Sequence, residues 1–268
     1  MTIVFKIFGG VEFMIRITDK DLLLFKYLFE TDFLTRPQID NFVYEELSSD
    51  YVNKIKLWKL TKEGYLKKKM SPTGNTVLLA TEKALDQMFI FRSRLKDIKR
   101  NDNFKFYYVD PVIYRVQEEL DLRKFEHDRL LNTVRFKFEN YGADYWLSDK
   151  LLYRRRVFKT IPDGTFQKKG KVFAVELEHT LKKKSRYRDI FKIYSKTKDI
   201  DYIIYITTSE MIYNALEKYI NPTFIDYSSN SYKKFFLIRL NDFLKGNLEI
   251  VNSAADLKFN LKEVLGDE

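Results

Sequence analysis

The sequence predicts an α/β protein, α+β overall, composed of two domains. Three observations lead to this prediction. Residues 14–91 contain apolar residues at helical spacing and, towards the end of this range, two strand-like segments that form a basic hairpin. Residues 104–268 alternate strand-like and helical segments around acidic strands, as expected when helices pack on a mixed central sheet. Between them, residues 92–103 are polar and charged, which indicates a linker or an extension of the preceding helix.

The composition limits the class of protein. The chain has 268 residues, of which 45% are hydrophobic and 16% aromatic, so it can bury a core and is not a disordered tail. It has 48 basic and 38 acidic residues, a net charge of +10. This basic excess has two interpretations: a lysine-rich solvated surface, or a polyanionic partner, most often nucleic acid.

Cysteine is absent, and the histidines are His127 and His179. Disulfides, cysteine-based zinc sites and thiol catalysis are therefore excluded, and the composition is typical of a reducing cytoplasm. No apolar run approaches the roughly 20 residues that a membrane-spanning helix needs. Residues 1–13 do not resemble a signal peptide, and we interpret them as an extension that adds a strand. We expect a cytoplasmic protein with no membrane partner and no organic cofactor.

Helix caps define the first predicted elements. Thr18 is a typical N-cap residue, with acids in the following turn, and the first helix continues to Glu30. Thr35 caps a second, short helix that has proline in its first turn. A third helix covers residues 49–62 and ends near Gly64, a residue typical of helix C-termini. Its predicted apolar face consists of Val52, Ile55, Leu57 and Leu60.

Two strand-like segments complete the first domain. Residues 65–70 and 76–80 read YLKKKM and TVLLA, and a turn with the sequence SPTGN joins them. Thr81 then caps a further helix. Three helices followed by a basic hairpin, and in particular LWKLTKEGYL at residues 57–66, resemble the winged helix-turn-helix family. The resemblance implies that the third helix enters the major groove of double-stranded DNA while the hairpin contacts the backbone or the minor groove.

Residues on the exposed side of the third helix and on the hairpin are candidates for DNA contact. They are Tyr51, Lys54, Lys56, Trp58, Lys67, Lys68 and Lys69. Lysines on the hairpin could reach phosphates, whereas Lys54 is a candidate for reading bases. In the alternative interpretation the winged helix contacts protein, and Trp58 closes the edge of the core.

The second domain is predicted to begin with a strand and to continue with alternating elements. In order, these are a strand at 104–109, a long helix through Leu120 to Phe138, short strands at 144–147 and 156–158, two acidic strands, a basic helix at 181–198, a buried strand at 202–206, a helix at 211–219 and a last strand at 235–238.

The two acidic strands carry the most informative motif. They contain IPDGTF at residues 161–166 and VFAVELE at residues 172–178. Because side chains alternate along a strand, Glu176 and Glu178 share one face with Ala174, while Val175 and Leu177 lie on the other. Carboxylates on an apolar face are costly unless a cation, a base or water meets them. With Asp163 nearby, three acids can converge, and hard divalent cations such as Mg²⁺ bind such oxygen clusters.

The order of a helix, acidic strands, a helix and a strand resembles the PD-(D/E)XK nuclease superfamily. The resemblance implies an α/β sandwich with a mixed central sheet, in which Asp163 and Glu176 hold Mg²⁺ or Mn²⁺ for phosphodiester cleavage. Glu178 stands where the superfamily usually has a lysine that orients water and stabilises the transition state. A relocated amine could come from residues 182–184. The candidate catalytic residues are Asp163, Glu176, Glu178 and Lys183.

The combined pattern resembles the plasmid replication-relaxation family. It includes a winged helix from Ile15, the pair His127 and Asp128 on a helix, the Pro-Asp-Gly strand, and the segments VELE and KKKSRY. The likeness covers about residues 15–205. It implies that the protein acts on double-stranded DNA of a plasmid or mobile element in replication, relaxation or transfer, with replication or conjugation proteins and a second copy of the chain as further partners.

Each candidate residue also has a structural alternative. Asp163 precedes glycine and suits a turn. Glu176 and Glu178 could form a salt network with the following helix, and His127 could brace its helix against the sheet. Asp128 could be the helix-borne acid found in some nucleases. The alternative function is a catalytically inactive transcriptional regulator or assembly module, in which the nuclease-like fold serves dimerisation or partner docking.

Overall fold

The computed structural model describes residues 15–44, 50–96, 109–156, 158–221 and 231–266. These residues form a mixed α/β protein with eleven α-helices, a three-stranded antiparallel sheet and a seven-stranded mixed sheet. They divide into two compact units: unit 1 holds the described residues up to Phe125, and unit 2 those from Glu126 onward. The predicted extension at residues 1–13 lies outside the described residues.

Unit 1 combines short helices with the three-stranded sheet. Its elements are α1 (Asp19–Thr31), β1 (Leu34–Thr35), α2 (Arg36–Phe42), α3 (Asp50–Lys62), β2 (Leu66–Met70), β3 (Thr76–Ala80), α4 (Glu82–Ile90) and α5 (Arg92–Leu95), followed by a 3₁₀ helix at Pro111–Ile113. The strand order is β1-β3-β2, and both pairings are antiparallel. The predicted helix, hairpin and cap positions of residues 18–90 are confirmed to within about three residues.

Capping side chains fix where α1 and α2 begin. Thr18 accepts a hydrogen bond from the backbone of Asp21, whose carboxylate in turn accepts one from the backbone of Thr18. Thr35 and Gln38 form the same reciprocal pair at α2. Each pair satisfies backbone N–H groups that a helix start otherwise leaves unpaired, which explains why the caps could be recognised in the sequence.

The buried face of α3 differs from the predicted one. Leu57 and Leu60 are buried as expected, but Val52 is 44% exposed, and Asn53 is buried in its place. Residues 53, 57 and 60 follow the helical spacing of three and four positions, so they form the stripe that faces the rest of unit 1. Hydrophobicity alone therefore selected the wrong residue at the start of the helix.

The segment after the first helices belongs to unit 1, which places the division later than the predicted linker at residues 92–103. The Tyr114 hydroxyl donates a hydrogen bond to Glu30 of α1 (2.8 Å), and its ring stacks on Phe29. Phe125 stacks on Phe33, with ring centroids 4.7 Å apart. The strand predicted at residues 104–109 lies outside the described residues, apart from Val109. The helix predicted through Leu120 does not begin until Phe125.

Unit 2 is built around the seven-stranded sheet. Its elements are α6 (Phe125–Asn140), β4 (Asp144–Ser148), α7 (Asp149–Arg155), β5 (Gly164–Lys168), β6 (Lys171–Glu178), α8 (Lys184–Lys196), β7 (Tyr202–Thr207), α9 (Glu210–Tyr219), β8 (Phe235–Arg239), α10 (Leu240–Leu244), β9 (Glu249–Asn252), β10 (Leu257–Asn260) and α11 (Leu261–Leu265). The strand order is β10-β9-β8-β7-β6-β5-β4; the pairs β6–β7 and β7–β8 are parallel and the rest antiparallel.

Both faces of this sheet are covered by apolar clusters. Phe173, Val175 and Leu177 of β6 pack into one cluster with side chains of α6, α10 and α11. Ala174 belongs to the opposite cluster, with side chains of α8 and α9. The predicted alternation along β6 is thus confirmed, and Glu176 and Glu178 lie on the same side as α8.

Two further expectations for unit 2 are wrong. Phe158 does not belong to a strand, because the chain forms α7 up to Arg155 and leaves it through Arg156 in the left-handed region. The strand at Phe235–Arg239 is followed by β9 and β10, which are short and mixed in polarity. In the ranges that the structure describes, no helix is both long and apolar enough to cross a membrane.

Candidate functional site

Asp163 lies at the start of β5, beside the carboxyl end of β6. Its Oδ2 accepts a hydrogen bond of 2.7 Å from the backbone N–H of Leu177. Its backbone carbonyl accepts another, of 3.1 Å, from the N–H of Asp149. Antiparallel pairing of Gly164 with Val175 sets this register. The carboxylate is therefore fixed by the sheet, as the predicted pair of acidic strands requires.

His127 of α6 lies between two carboxylates. Its Nε2 is 3.3 Å from Asp163 Oδ2, and its Nδ1 is 3.1 Å from Asp128 Oδ1. Burial alone would lower the pKa of His127, but the hydrogen bonds and charges of the two aspartates outweigh it and raise the pKa to about 10. The imidazole is therefore protonated at neutral pH, and His127 acts here as a positive charge that braces α6 against Asp163.

Glu176 meets a tyrosine of α8. The Tyr194 hydroxyl donates a hydrogen bond to Glu176 Oε1. Burial, followed by repulsion from Asp163, raises the pKa of Glu176 well above its usual range. Burial also raises the pKa of Tyr194, and the charge of Glu176 adds to the effect, so Tyr194 keeps its proton and remains a donor.

Glu178 is buried and meets both a lysine and a tyrosine. Lys182 forms an ion pair with Glu178 Oε1, and the Tyr187 hydroxyl donates to Oε2 at 3.2 Å. Burial raises the pKa of Glu178, although the charge of Lys182 opposes the shift. The sequence included Lys183 among the catalytic candidates, but Lys183 is the exposed N-cap residue of α8. Lys182 is the residue of this run that reaches the acids, because the turn after β6 directs it back.

Two hydroxyl groups of β7 lie beside the glutamates. Tyr205 pairs in register with Glu176, and Thr207 with Glu178. Both side chains are only 1% exposed. Neither hydroxyl oxygen has a hydrogen-bond partner among the described residues. A buried polar group without a partner is uncommon in folded proteins, so these hydroxyls mark a place where a polar ligand would be stabilised.

The residues of this site that were not predicted as site residues are Asp149, Tyr187, Tyr194, Tyr205 and Thr207. The two tyrosines of α8 and the two hydroxyl-bearing residues of β7 lie against the glutamates. Burial, together with the charges of Asp163 and Asp128, raises the pKa of Asp149. A signal was present, since tyrosines at residues 187 and 194 are two helical turns apart and so place their hydroxyls on one face.

The fit of a divalent cation can be tested against these contacts. No group of three or more His, Asp or Glu side chains in the described ranges has the arrangement of a complete metal site. Burial raises the pKa of Glu176, however, and the charge of Asp163 adds to this shift. A cation between the two carboxylates would relieve their repulsion, and carboxylate oxygens are the ligands that Mg²⁺ and Mn²⁺ prefer. The donor chemistry therefore fits the metal, with Asp163 and Glu176 as the residues that would hold it.

The candidate DNA-binding residues of unit 1 fall into two groups. Tyr51 is 70% and Trp58 53% exposed. Lys54, Lys67 and Lys68 are exposed as well. By contrast, Lys56 forms an ion pair with the buried Asp21 (2.7 Å), and Lys69 forms one with Glu119 (2.6 Å). Lys62, not predicted, lies over the Trp58 ring at 5.3 Å.

No family model, curated protein or solved structure matches this chain. The fold defines the class of protein, which is mixed α/β. In its second unit, carboxylates at the end of a central strand lie next to a histidine, a lysine and tyrosine hydroxyls.

Proposed function

We propose that the protein binds double-stranded DNA of a plasmid or other mobile element and acts in its replication, relaxation or transfer. In this proposal unit 1 is a winged helix-turn-helix domain, and unit 2 is a nuclease-like domain of the PD-(D/E)XK type that binds Mg²⁺ or Mn²⁺. Replication or conjugation proteins and a second copy of the chain are the further partners that we expect.

The arrangement of unit 1 supports the DNA-binding part. The element order α1-β1-α2-α3-β2-β3 and the sheet order β1-β3-β2 support this proposal, because three helices and a hairpin in that order are expected of a winged helix. Such domains place the third helix in the major groove. Lys54 and Trp58 lie exposed on that helix, and Lys67 and Lys68 lie exposed on β2. These positions suit contacts to base edges and to phosphates, respectively.

One observation carries the proposal for unit 2. Asp163 directly precedes β5, and Glu176 lies on the adjacent strand β6. The hydroxyls of Tyr205 and Thr207, which have no hydrogen-bond partner in the part of the chain that the structure describes, lie in register beside the glutamates. Buried carboxylates and free hydroxyls together favour a hydrated cation over an empty apolar interior.

The residues of the site have separable roles in this proposal. The protonated His127 holds Asp163 in place through its hydrogen bond. Tyr194 orients Glu176. Lys182 provides the positive charge that the superfamily usually takes from the position of Glu178. A bound divalent cation would lower the pKa of a water molecule and so supply the nucleophile.

The DNA-binding part is tested on the full chain by replacing Lys67 and Lys68 with alanine. We expect weaker binding to all duplex sequences, and a salt dependence whose slope is smaller by about 2, because two phosphate contacts are lost. Alanine at Lys218 and Lys245, two exposed lysines of unit 2, is the charge-matched control and should leave binding unchanged. Lys54→Ala should instead change the preference among sequences. Equal effects of the two double variants would show that only net charge matters.

The metal part is tested by thermal unfolding with and without Mg²⁺ or Mn²⁺. A cation that binds the folded state stabilises it by mass action, so the melting temperature of the wild type should rise. Asp163→Asn or Glu176→Gln should remove this rise, whereas Glu249→Gln, which changes an exposed acid of unit 2, should preserve it. A wild type that does not respond to either cation would favour a purely structural network.

The second candidate function is a catalytically inactive regulator or assembly module that uses the nuclease-like fold for docking or dimerisation. The specific contacts that favour it are internal ones, since His127, Tyr194 and Lys182 already meet the three acids. Nicking of supercoiled plasmid with Mn²⁺ separates the two functions. Cleavage by the wild type but not by Asp163→Ala would establish a nuclease. The absence of cleavage in both would support the catalytically inactive module. Equal cleavage by both would indicate a contaminating nuclease.

A further inference from the structure

A cleft lined by lysines lies in unit 2, at the C-terminal half of α8. Its volume is about 560 Å³. The residues that define it are Phe158, Lys159, Lys192, Lys196, Lys198 and Asp199. The cleft is larger than a single phosphate requires and falls within the roughly 300–1,000 Å³ of typical ligand sites.

The charges around this cleft are strongly unbalanced. Four lysines face one aspartate, a local excess of three positive charges. Within the described ranges none of the four ammonium groups forms an ion pair or a hydrogen bond, and Asp199 is not paired with any of them. Lys192 and Lys196 are one helical turn apart, where like charges repel. Four ammonium groups without a partner in the described ranges thus lie close together, and an anionic ligand would stabilise this arrangement.

Two segments of unit 2 form the cleft, namely the C-terminal half of α8 with the residues after it, and the chain that follows α7. Lys159 is four residues before Asp163 on the segment that leads into β5. Phe158 adds a half-buried aromatic wall that packs on the cluster beneath α8. The clustered ammonium groups suit the phosphates of a nucleic-acid backbone, which are contacted mainly by lysine and arginine side chains.

We propose that this cleft binds the phosphate backbone of a DNA strand and gives unit 2 a DNA contact of its own. The inference rests on the proposed function, because it takes DNA as the polyanion. It adds a binding surface in unit 2 to the hairpin lysines of unit 1.

The experiment compares two triple alanine variants of the full chain in duplex binding over a range of salt concentrations. The cleft variant replaces Lys159, Lys192 and Lys196. The control variant replaces Lys218, Lys245 and Lys262, which are equally exposed and remove the same charge. The cleft variant should bind at least about tenfold more weakly at physiological salt, with a salt slope smaller by about 2–3. The control variant should match the wild type. Both should keep the wild-type melting temperature; if the cleft variant does not, its lysine-to-glutamine counterpart is measured.

The outcomes separate this inference from the function on which it rests. Loss of binding in the Lys67/Lys68 variant together with an unchanged cleft variant would overturn the cleft and leave the proposed function standing. A wild type without salt-sensitive DNA binding would overturn both. Equal losses in the cleft and control variants would reduce the effect to net charge and overturn the cleft. Cleft-dependent binding to phosphatidylserine vesicles, with unchanged DNA binding, would assign the surface to a membrane instead.

Discussion

Tyr194 and Tyr205 are two buried tyrosines of the same site. Removal of the hydroxyl should change the free energy of unfolding in opposite directions at the two positions. The hydroxyl of Tyr194 donates to Glu176. The hydroxyl of Tyr205 has no hydrogen-bond partner among the described residues. Both rings pack in the same apolar cluster, so replacement by phenylalanine preserves the packing and changes only the polar group.

The magnitudes follow from the burial of the two groups. Tyr205 is 1% exposed, and an unsatisfied buried hydroxyl costs about 1–3 kcal/mol. Tyr205→Phe should therefore raise the free energy of unfolding by up to that amount. Tyr194→Phe leaves the Glu176 carboxylate without its donor and should lower the free energy of unfolding by about 1–3 kcal/mol. The free energies of unfolding of the two variants should thus differ by roughly 1–6 kcal/mol.

Thermal and denaturant unfolding in the presence of EDTA provide the measurement. For a unit of this size, 1 kcal/mol corresponds to about 2–4 °C in melting temperature. Tyr153→Phe is the matched control, because Tyr153 is 73% exposed and its change should stay within about 0.5 kcal/mol. A Tyr205→Phe variant less stable than the wild type would refute the reasoning, since its hydroxyl would then have a stabilising partner in solution.

Three further predictions concern other parts of the chain. Thr18→Ala removes the cap of α1 and should lower the free energy of unfolding by about 1 kcal/mol in denaturant unfolding, whereas Thr18→Ser should not. Gly164→Ala places a Cβ 2.3 Å from the Trp146 ring and should destabilise by at least about 1–3 kcal/mol; a wild-type melting temperature would contradict this contact. Burial, opposed by Asp201, lowers the pKa of Lys234 from 10.5 to about 8. The unfolded chain therefore binds more protons between these values, so the wild type should gain stability as pH rises through them. Lys234→Met should lack this gain when its pH-dependent unfolding is compared with that of the wild type.

Local signals in the sequence predicted much of the fold. Caps at Thr18 and Thr35 set the helix starts, and the alternation along β6 set which side chains face α8. These features depend on neighbouring residues alone, which is why the sequence reveals them. The helix predicted before Phe125 depended on something else: Tyr114 and its neighbours are held against α1 by contacts with residues more than eighty positions away.

The candidate site was predicted only in part, for a related reason. Asp163, Glu176 and Glu178 stand out because acids are unusual in apolar strands. Lys182 could not be distinguished from its neighbours, because the conformation of the turn after β6 decides which lysine faces the acids. Tyr205 lies in an apolar strand, and only the register of that strand shows that its hydroxyl lies beside Glu176. Strand register between distant segments is not encoded in local periodicity.

The lysines of β2 have a second effect, which does not depend on a ligand and follows from the position of the strand in its sheet. Among the described residues, β2 is an outer strand of the small sheet and is paired on one side with β3. An outer strand presents unpaired backbone groups that can recruit a strand from another molecule, and lysines discourage such joining because two charged borders repel. Lys67 and Lys68 should therefore keep separate copies of the chain from adding to one another through this border. The same charges that would attract a nucleic acid thus also protect the chain from self-aggregation.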